Sequence, residues 1–449
     1  MCERMLLSLE VLAICMLPVL PAGCGRSTEP DDGRIVLTLP VSGGDRLETM
    51  YTELIAAFEK LHPDIHVKIL QFPGSYWTKL QIMIAAGDCP DLLPMMTMRL
   101  PMYLHRGAFL PLDDLMKEDR DFQERLRTDI HPKVFSGFRR DGKLYGMPYS
   151  QNLYALYYNK TIFDKYNGTA PAEQKIGYPS GEWDLDTFVD AARKLTCDTN
   201  GDGRIDQYGT ILPGLAFHVI CPVLRRFGVE LFSEDLTKCN LDRPEAIEAM
   251  QWYFDLANKW RVAPSPIGPD ARSEGAILGG PADMFMAGKV AMWEAESEWR
   301  FELGRRIKTF EWDVAEPPHG RFRAAGFECF GICIGRDSRH PEAAWKFISF
   351  LTSPEGQKIL LAHNVGIPIL RSLCESPLFL DPNVPPAHKE VFLKTLEYGE
   401  DIPSLRNFQE VGEALVAELE LAVIGKKSTA DACRDATAQV DKLLKENPK

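Results

Sequence analysis

Apolar side chains recur along this chain in two rhythms, short extended runs and longer stretches at helical spacing. Residues 34–40 are rich in Ile, Val and Leu and read as a buried strand. Ser42, Gly43, Gly44 and Asp45 make a turn, after which Leu47, Met50, Leu54, Ile55, Phe58 and Leu61 recur one helical turn apart until His62-Pro63 stops them. Residues 65–70 form a second apolar run with Val67 and Ile69 on one face. Strand, helix and strand in so short a space define a βαβ unit, which requires a parallel sheet covered on both faces. A helix over 76–86, closed by Gly87-Asp88, and a strand over 91–96 continue the pattern. Farther on, residues 142–149 predict a strand-turn leading into the apolar run 153–159. Trp183-Asp184-Leu185-Asp186 opens a helix that turns Phe188, Ala191, Ala192 and Leu195 inward. Helical spacing returns over 244–260 and 341–352, and the tail 415–444 reads as two helices split near Gly425. Residues 262–280, rich in Pro, Gly and Ser, read as a surface excursion, and no fixed-period repeat is present.

The first 24 residues follow a different rule. A mostly apolar run over 11–20 meets Ala22-Gly23-Cys24, the layout of a secretory signal, and Pro18 and Pro21 argue against a buried helix there. Cys after Ala-Gly also resembles the bacterial lipobox, which implies lipidation of Cys24 once residues 1–23 are removed. The match departs at Glu3 beside Arg4, at Glu10, and at Pro21 where Leu is usual. Residues 24–33 are polar and aperiodic, as a tether between a lipid and a folded body would be. Localisation is therefore expected to be exported, lipid-anchored on the outer face of a membrane or in the periplasm, and stable anchoring needs more than one acyl chain.

Composition narrows the class of the body. The 449 residues suggest two or three globular units, and 45% hydrophobic with 26% charged residues excludes disorder for most of the chain. A net charge of −13 leaves no basic stripe for a nucleic acid. Beyond the N-terminus no apolar run approaches the ~18 residues of a membrane span. Eight cysteines lie in the body: Cys89, Cys197, Cys221, Cys239, Cys329, Cys333, Cys374 and Cys433. Their spacing shows neither a disulfide framework nor a zinc site, so buried thiols are the default and pairing stays open.

Four phrases, in order, resemble one family. They are FEKLHPDI (58–65), GKLYGMPYSQNLYALYY (142–158), FMAGKVAMW (285–293) and AWKFISFLTSPEGQKILLAHNVGIP (344–368). Together they resemble the sugar-type (family 1) extracellular solute-binding proteins of ABC importers. The resemblance implies an α/β, two-lobed periplasmic-binding-protein-like fold with a hinge of crossing strands. Lobe one would hold residues 34–148 and 292–339, and lobe two residues 149–291 and 340–449. It further implies a monomer that traps a sugar or oligosaccharide by lobe closure and passes it to ABC permease subunits.

A sugar presents hydroxyls at its edges and C–H groups on its faces, so its site needs aromatic platforms and planar polar side chains. Near the implied cleft those groups are Trp77, Tyr149, Gln151, Asn152, Trp183, Trp293, Glu294, Phe327 and Glu328. Trp77 and Trp183 serve equally well as core residues. Tyr154, Tyr157, Tyr158, Trp252 and Trp260 read as core, and Ser42, Gly43 and Gly44 as either cleft backbone or a plain turn. A second motif is local. Asp198, Asn200, Asp202 and Asp206 stand at positions 1, 3, 5 and 9 of a calcium loop, with Gly203 at 6, the Arg204 carbonyl at 7 and Ile205 at 8. Position 12 is Gly209, so the usual bidentate Glu is missing. A structural Ca²⁺ and a metal-free Asx turn both remain open.

Enzymatic readings find less support. An exported glycoside hydrolase would need two carboxylates facing one bond, and Glu294, Glu296, Glu298 and Glu328 are nominees without a facing pair. No G-x-S-x-G, H-E-x-x-H or Walker A phrase is present: Glu420 stands where a phosphate loop ending at Gly425-Lys426-Lys427-Ser428 needs glycine, and Pro63 separates His62 from His66. The expectation is a receptor with no catalytic residue and no catalytic cofactor. A module reporting to a membrane sensor is the remaining alternative.

Overall fold

The computed structural model describes residues 33–42, 44–72, 74–264 and 280–446. The expected signal, Cys24, nearly all of the tether, Gly43 and most of the 262–280 excursion lie outside the described residues. From Ile35 onward the chain is one compact unit.

Strands β1 (Ile35–Val41) and β2 (Ile65–Gln71) pair in parallel with Ile35 opposite Ile65, and helix Gly44–Leu61 makes the crossover. Met50, Leu54 and Phe58 are fully buried, whereas Leu61, at the helix end, is 58% exposed. β3 (Leu92–Met96) and a two-strand ladder, β4 (Arg139–Arg140) with β5 (Lys143–Leu144), follow. The centre of the molecule is β6 (Met147–Asn159), buried along all of its thirteen residues. Its first half runs antiparallel to β9 (Ala325–Ile334), and its second half pairs with β7 (Met292–Glu296) and β8 (Trp312–Ala315). The short strands β10 (Ile367–Pro368) and β11 (Gly399–Asp401) complete this sheet beside β6 and β9, and β3 pairs with β9.

Strand alternation lets β6 serve two cores. Met147, Tyr149, Leu153, Ala155 and Tyr157 pack into a first core with β1–β3, while Leu156 and Tyr158 enter a second built on residues 162–263 and the C-terminal helices. β7 is divided likewise: Trp293 and Ala295 belong to the first core and Met292 to the second. These crossing strands join the two lobes of an α/β fold.

Two boundaries differ from expectation. Ala282, Met284, Phe285 and Val290, expected in lobe two with residues 149–291, lie in the first core, as do Ala344, Phe347, Ile348 and Leu351 of helix Pro341–Leu351, expected in lobe two with residues 340–449. Phe347 meets Phe58 edge-on at 5.2 Å, and the Gln357 amide donates to the Tyr149 carbonyl at 2.9 Å. Phe350 of the same helix also packs on Phe58, at 5.9 Å, so its apolar side meets helix Gly44–Leu61. The chain returns to the second core only with Ile402 and Leu405, then adds helices Phe408–Val423 and Thr429–Glu446. Gly425 between them has φ +70°, a conformation suited to glycine. All eight body cysteines are free thiols.

Candidate ligand cavity

A cavity of about 300 Å³ opens over the paired strands β6 and β7. Because β7 has a period of two, Glu294 and Glu296 share one face, opposite Leu156 and Tyr154 of β6. Tyr154, Glu294 and Glu296 line the cavity at this floor. Helix Phe217–Arg226 supplies His218 and Arg226, helix Pro244–Asn258 supplies Trp252 and Tyr253, and Trp299 stands just beyond β7.

Each carboxylate is held differently. One nitrogen of the Arg226 guanidinium, Nη2, lies 2.6 and 2.7 Å from the two Glu294 oxygens, and the arginine side chain is only 3% exposed. Glu296 receives neutral donors, the Tyr154 hydroxyl on Oε1 at 2.9 Å and the Trp299 indole N–H on Oε2 at 3.1 Å. Burial, then the neighbouring Glu296 charge, pushes the Tyr154 phenol well above its ordinary pKa. Burial likewise lowers the His218 pKa, against the pull of Glu296, and so favours the neutral imidazole. Trp299 is half-buried and sits against Trp293 at 5.3 Å, leaving an indole for a sugar face. Aromatic faces beside fixed hydrogen-bonding groups suit an uncharged, hydroxyl-rich ring.

Of the nine residues singled out from the sequence, Trp293 and Glu294 line this cavity. Trp293 is 3% exposed and packs on Tyr157 and Phe285, so it supports the wall as much as it offers a surface. Tyr149, Gln151, Asn152, Phe327 and Glu328 are not among its lining residues: they lie buried in β6 and β9 with polar groups turned to the protein. Gln151 donates to the Pro368 carbonyl at 2.6 Å, and Asn152 donates to Glu328 at 3.2 Å while accepting from Ser297 at 3.0 Å. Trp183 packs in the second core beside Phe163, and Trp77, under the Arg99 guanidinium at 4.7 Å, packs against the first. Tyr154 and Trp252, read as core, line the cavity instead. Glu296 and Trp299 follow Trp293 at short intervals, a signal the sequence did contain. Arg226 and His218 carried none, since Pro222 inside their helix masks its pattern in the sequence and their partners lie far along the chain.

The 198–206 loop is wound on its own amides. Asp198 accepts from the N–H groups of Asn200, Gly201 and Gly203, which hold its carboxylate below the usual range. Asn200 and Asp202 accept from the N–H groups of Asp202 and Arg204. Asp206, depressed to about 2, is bonded by Thr199 and by the Lys289 ammonium at 3.2 Å. Gly209 cannot be a Glu: a Cβ there would meet the Ala192 carbonyl oxygen at 2.1 Å. Among the described residues no group of three or more His, Cys, Asp or Glu side chains is arranged to hold a metal. Nor is any described helix long and apolar enough to cross a membrane.

Two lobes joined by crossing strands, with an aromatic cavity over those strands, define a solute-binding protein. The chain belongs to the bacterial extracellular solute-binding protein family, whose model matches residues 44–358. In solved structures it is similar to the ABC substrate-binding protein Lmo0181 from Listeria monocytogenes in complex with cycloalternan, with 28% identity, TM-score 0.77, and 92% of this chain and 99% of that one covered. The sugar-binding protein MalE from Xanthomonas citri has the same fold, with TM-score 0.76 and 20% identity over 92% and 98% of the two chains. The melibiose/raffinose/stachyose-binding protein MelE of Bacillus subtilis is 30% identical over 41% of this chain and 39% of its own.

Proposed function

We propose that this protein is an extracytoplasmic receptor that captures a sugar or oligosaccharide and delivers it to an ABC permease, held at the membrane through lipid on Cys24. The observation that carries the reading is the aromatic, carboxylate-bearing cavity over the strands that join the lobes. A ligand there touches groups from both cores, among them Trp299 and Glu296 beside the first and Tyr253 and Leu256 in the second, so it favours the arrangement that brings them together. No bond in the sugar is broken in this role, and the bound sugar is recovered unchanged.

The test is a thermal-shift panel with melibiose, raffinose, maltotriose and monosaccharides, followed by chromatography of the ligand. Binding to the native state raises the melting temperature by mass action. Trp299→Ala removes the half-buried platform and is expected to weaken binding ~10-fold or more with little loss of stability. Trp293→Ala is less informative, because a buried tryptophan also supports the core at ~3–5 kcal/mol. Cleaved sugar would replace the receptor with a hydrolase, and no shift with any sugar would end the carbohydrate reading.

The 198–206 loop is proposed as a weak calcium site drawing on Asp198, Asn200, Asp202, Asp206 and the Arg204 carbonyl. Lys289 already neutralises Asp206, so the ion has to displace that contact.

A further inference from the structure

We infer that the cavity selects sugars by charge, admitting neutral and amine-bearing rings and rejecting anionic ones, and that Glu296 sets this selectivity; the inference rests on the carbohydrate reading above. Four ionic side chains among the described residues line the cavity: Arg226, Asp283, Glu294 and Glu296. Arg226 is the sole cation of the four, and its charge is spent on Glu294 through the two contacts already described. Asp283 is paired outward with Arg306 at 3.6 Å. Glu296 is left with the Tyr154 hydroxyl and the Trp299 N–H, which spread its charge without cancelling it. His218 also lines the cavity, and burial lowers its pKa and so disfavours its charged form.

Among the described residues, one carboxylate without a cationic partner therefore faces a cavity walled by Tyr154, Trp252, Tyr253, Trp293 and Trp299. Low-dielectric walls screen a charge less than bulk solvent does, so a like charge entering is repelled more than in water. The same walls present electron-rich ring faces that attract an ammonium group. A neutral sugar finds in Glu296 a strong acceptor for its hydroxyls. A uronate, sulfate or phosphate finds no free cation among the described lining residues. Rejection comes from the repulsive element, one of the two routes by which a site discriminates between rings of the same shape.

The experiment uses two matched series, glucose, glucosamine and glucuronate, then galactose, galactosamine and galacturonate. Each is titrated into the purified protein at pH 7.5 and constant ionic strength, with thermal shift and calorimetry as readouts. In the series that binds, the uronate is expected to bind ~100-fold or more weakly than the neutral sugar, and the amino sugar at least as tightly. Glu296→Gln keeps the shape and the acceptor for Tyr154, and is expected to shrink the discrimination against the uronate at least ~10-fold. A uronate that binds as tightly as its neutral partner overturns the inference and leaves the carbohydrate reading standing. Discrimination unchanged in Glu296→Gln removes Glu296 as its source. No binding by any member of either series or by any sugar of the panel above defeats the reading beneath as well.

Discussion

Glu328 offers a quantitative handle on the strands that join the lobes. Its side chain sits on β9 opposite Asn152 of β6, 5% exposed, with Oε1 taking the Asn152 amide hydrogen at 3.2 Å and Oε2 without a partner. Burial raises its pKa from the usual 4.5 to about 7; the Asn152 bond opposes this, and the Glu296, Glu298 and Asp401 carboxylates add to it. The native state therefore keeps a proton that the unfolded chain has already released. Below pH 4.5 both states are protonated and the full stability is present. Between pH 4.5 and about 7 stability falls as pH rises, by ~1.4 kcal/mol per pH unit, and above that window the loss is complete at ~3 kcal/mol. Glu328→Gln has the same shape, keeps an acceptor for Asn152 and has no proton to lose. It is expected to be within ~1 kcal/mol of the wild type at pH 5 and more stable by ~3 kcal/mol at pH 8. Urea unfolding followed by tryptophan fluorescence at pH 5, 6, 7 and 8 measures the difference, in which all other titrations cancel. A difference that stays flat from pH 5 to 8, or a variant less stable at pH 8, would refute the argument.

Three further outcomes follow from the packing and the loop. Arg226→Met strands Glu294 in the cavity wall and should cost ~2–3 kcal/mol, less than a fully buried pair because Glu294 is 22% exposed; Arg226→Met with Glu294→Gln should recover most of it in urea melts. Phe347→Ala should cost ~3–4 kcal/mol, and a double-mutant cycle with Phe58→Ala should show coupling of ~1 kcal/mol, whereas strict additivity would separate the two rings. Millimolar Ca²⁺ should raise the melting temperature of the wild type and leave Asp198→Asn unmoved; equal responses would place any calcium effect elsewhere.

Much of the first lobe was legible because its signals are local. The period of helix Gly44–Leu61, bracketed by two apolar runs, requires a crossover between parallel strands whatever the rest of the chain does. Helix Tyr76–Ala85 ends one residue from its expected end, and the tail divides at Gly425 as its positive φ allows. Order and wording of four short phrases carried the family, because each marks an element whose spacing the fold keeps.

The cavity obeyed no local rule. β6 is buried on both faces, so the alternation that would separate Tyr154 from Gln151 is absent from the sequence. Helix Pro341–Leu351 shows which of its sides is apolar and cannot show which of two cores will receive it. Arg226 and Glu294 are 68 positions apart, and their pairing exists only once helix Phe217–Arg226 lies over β7. Side chain periodicity is set by bonded geometry within a few residues, and the sequence by itself determined what depends on it, the strands and helices, while the order of the four phrases carried the two-lobed class. Which side chains meet across the chain is set by the packing of whole elements, and that alone decided where the carboxylates, indoles and guanidinium of the cavity come together.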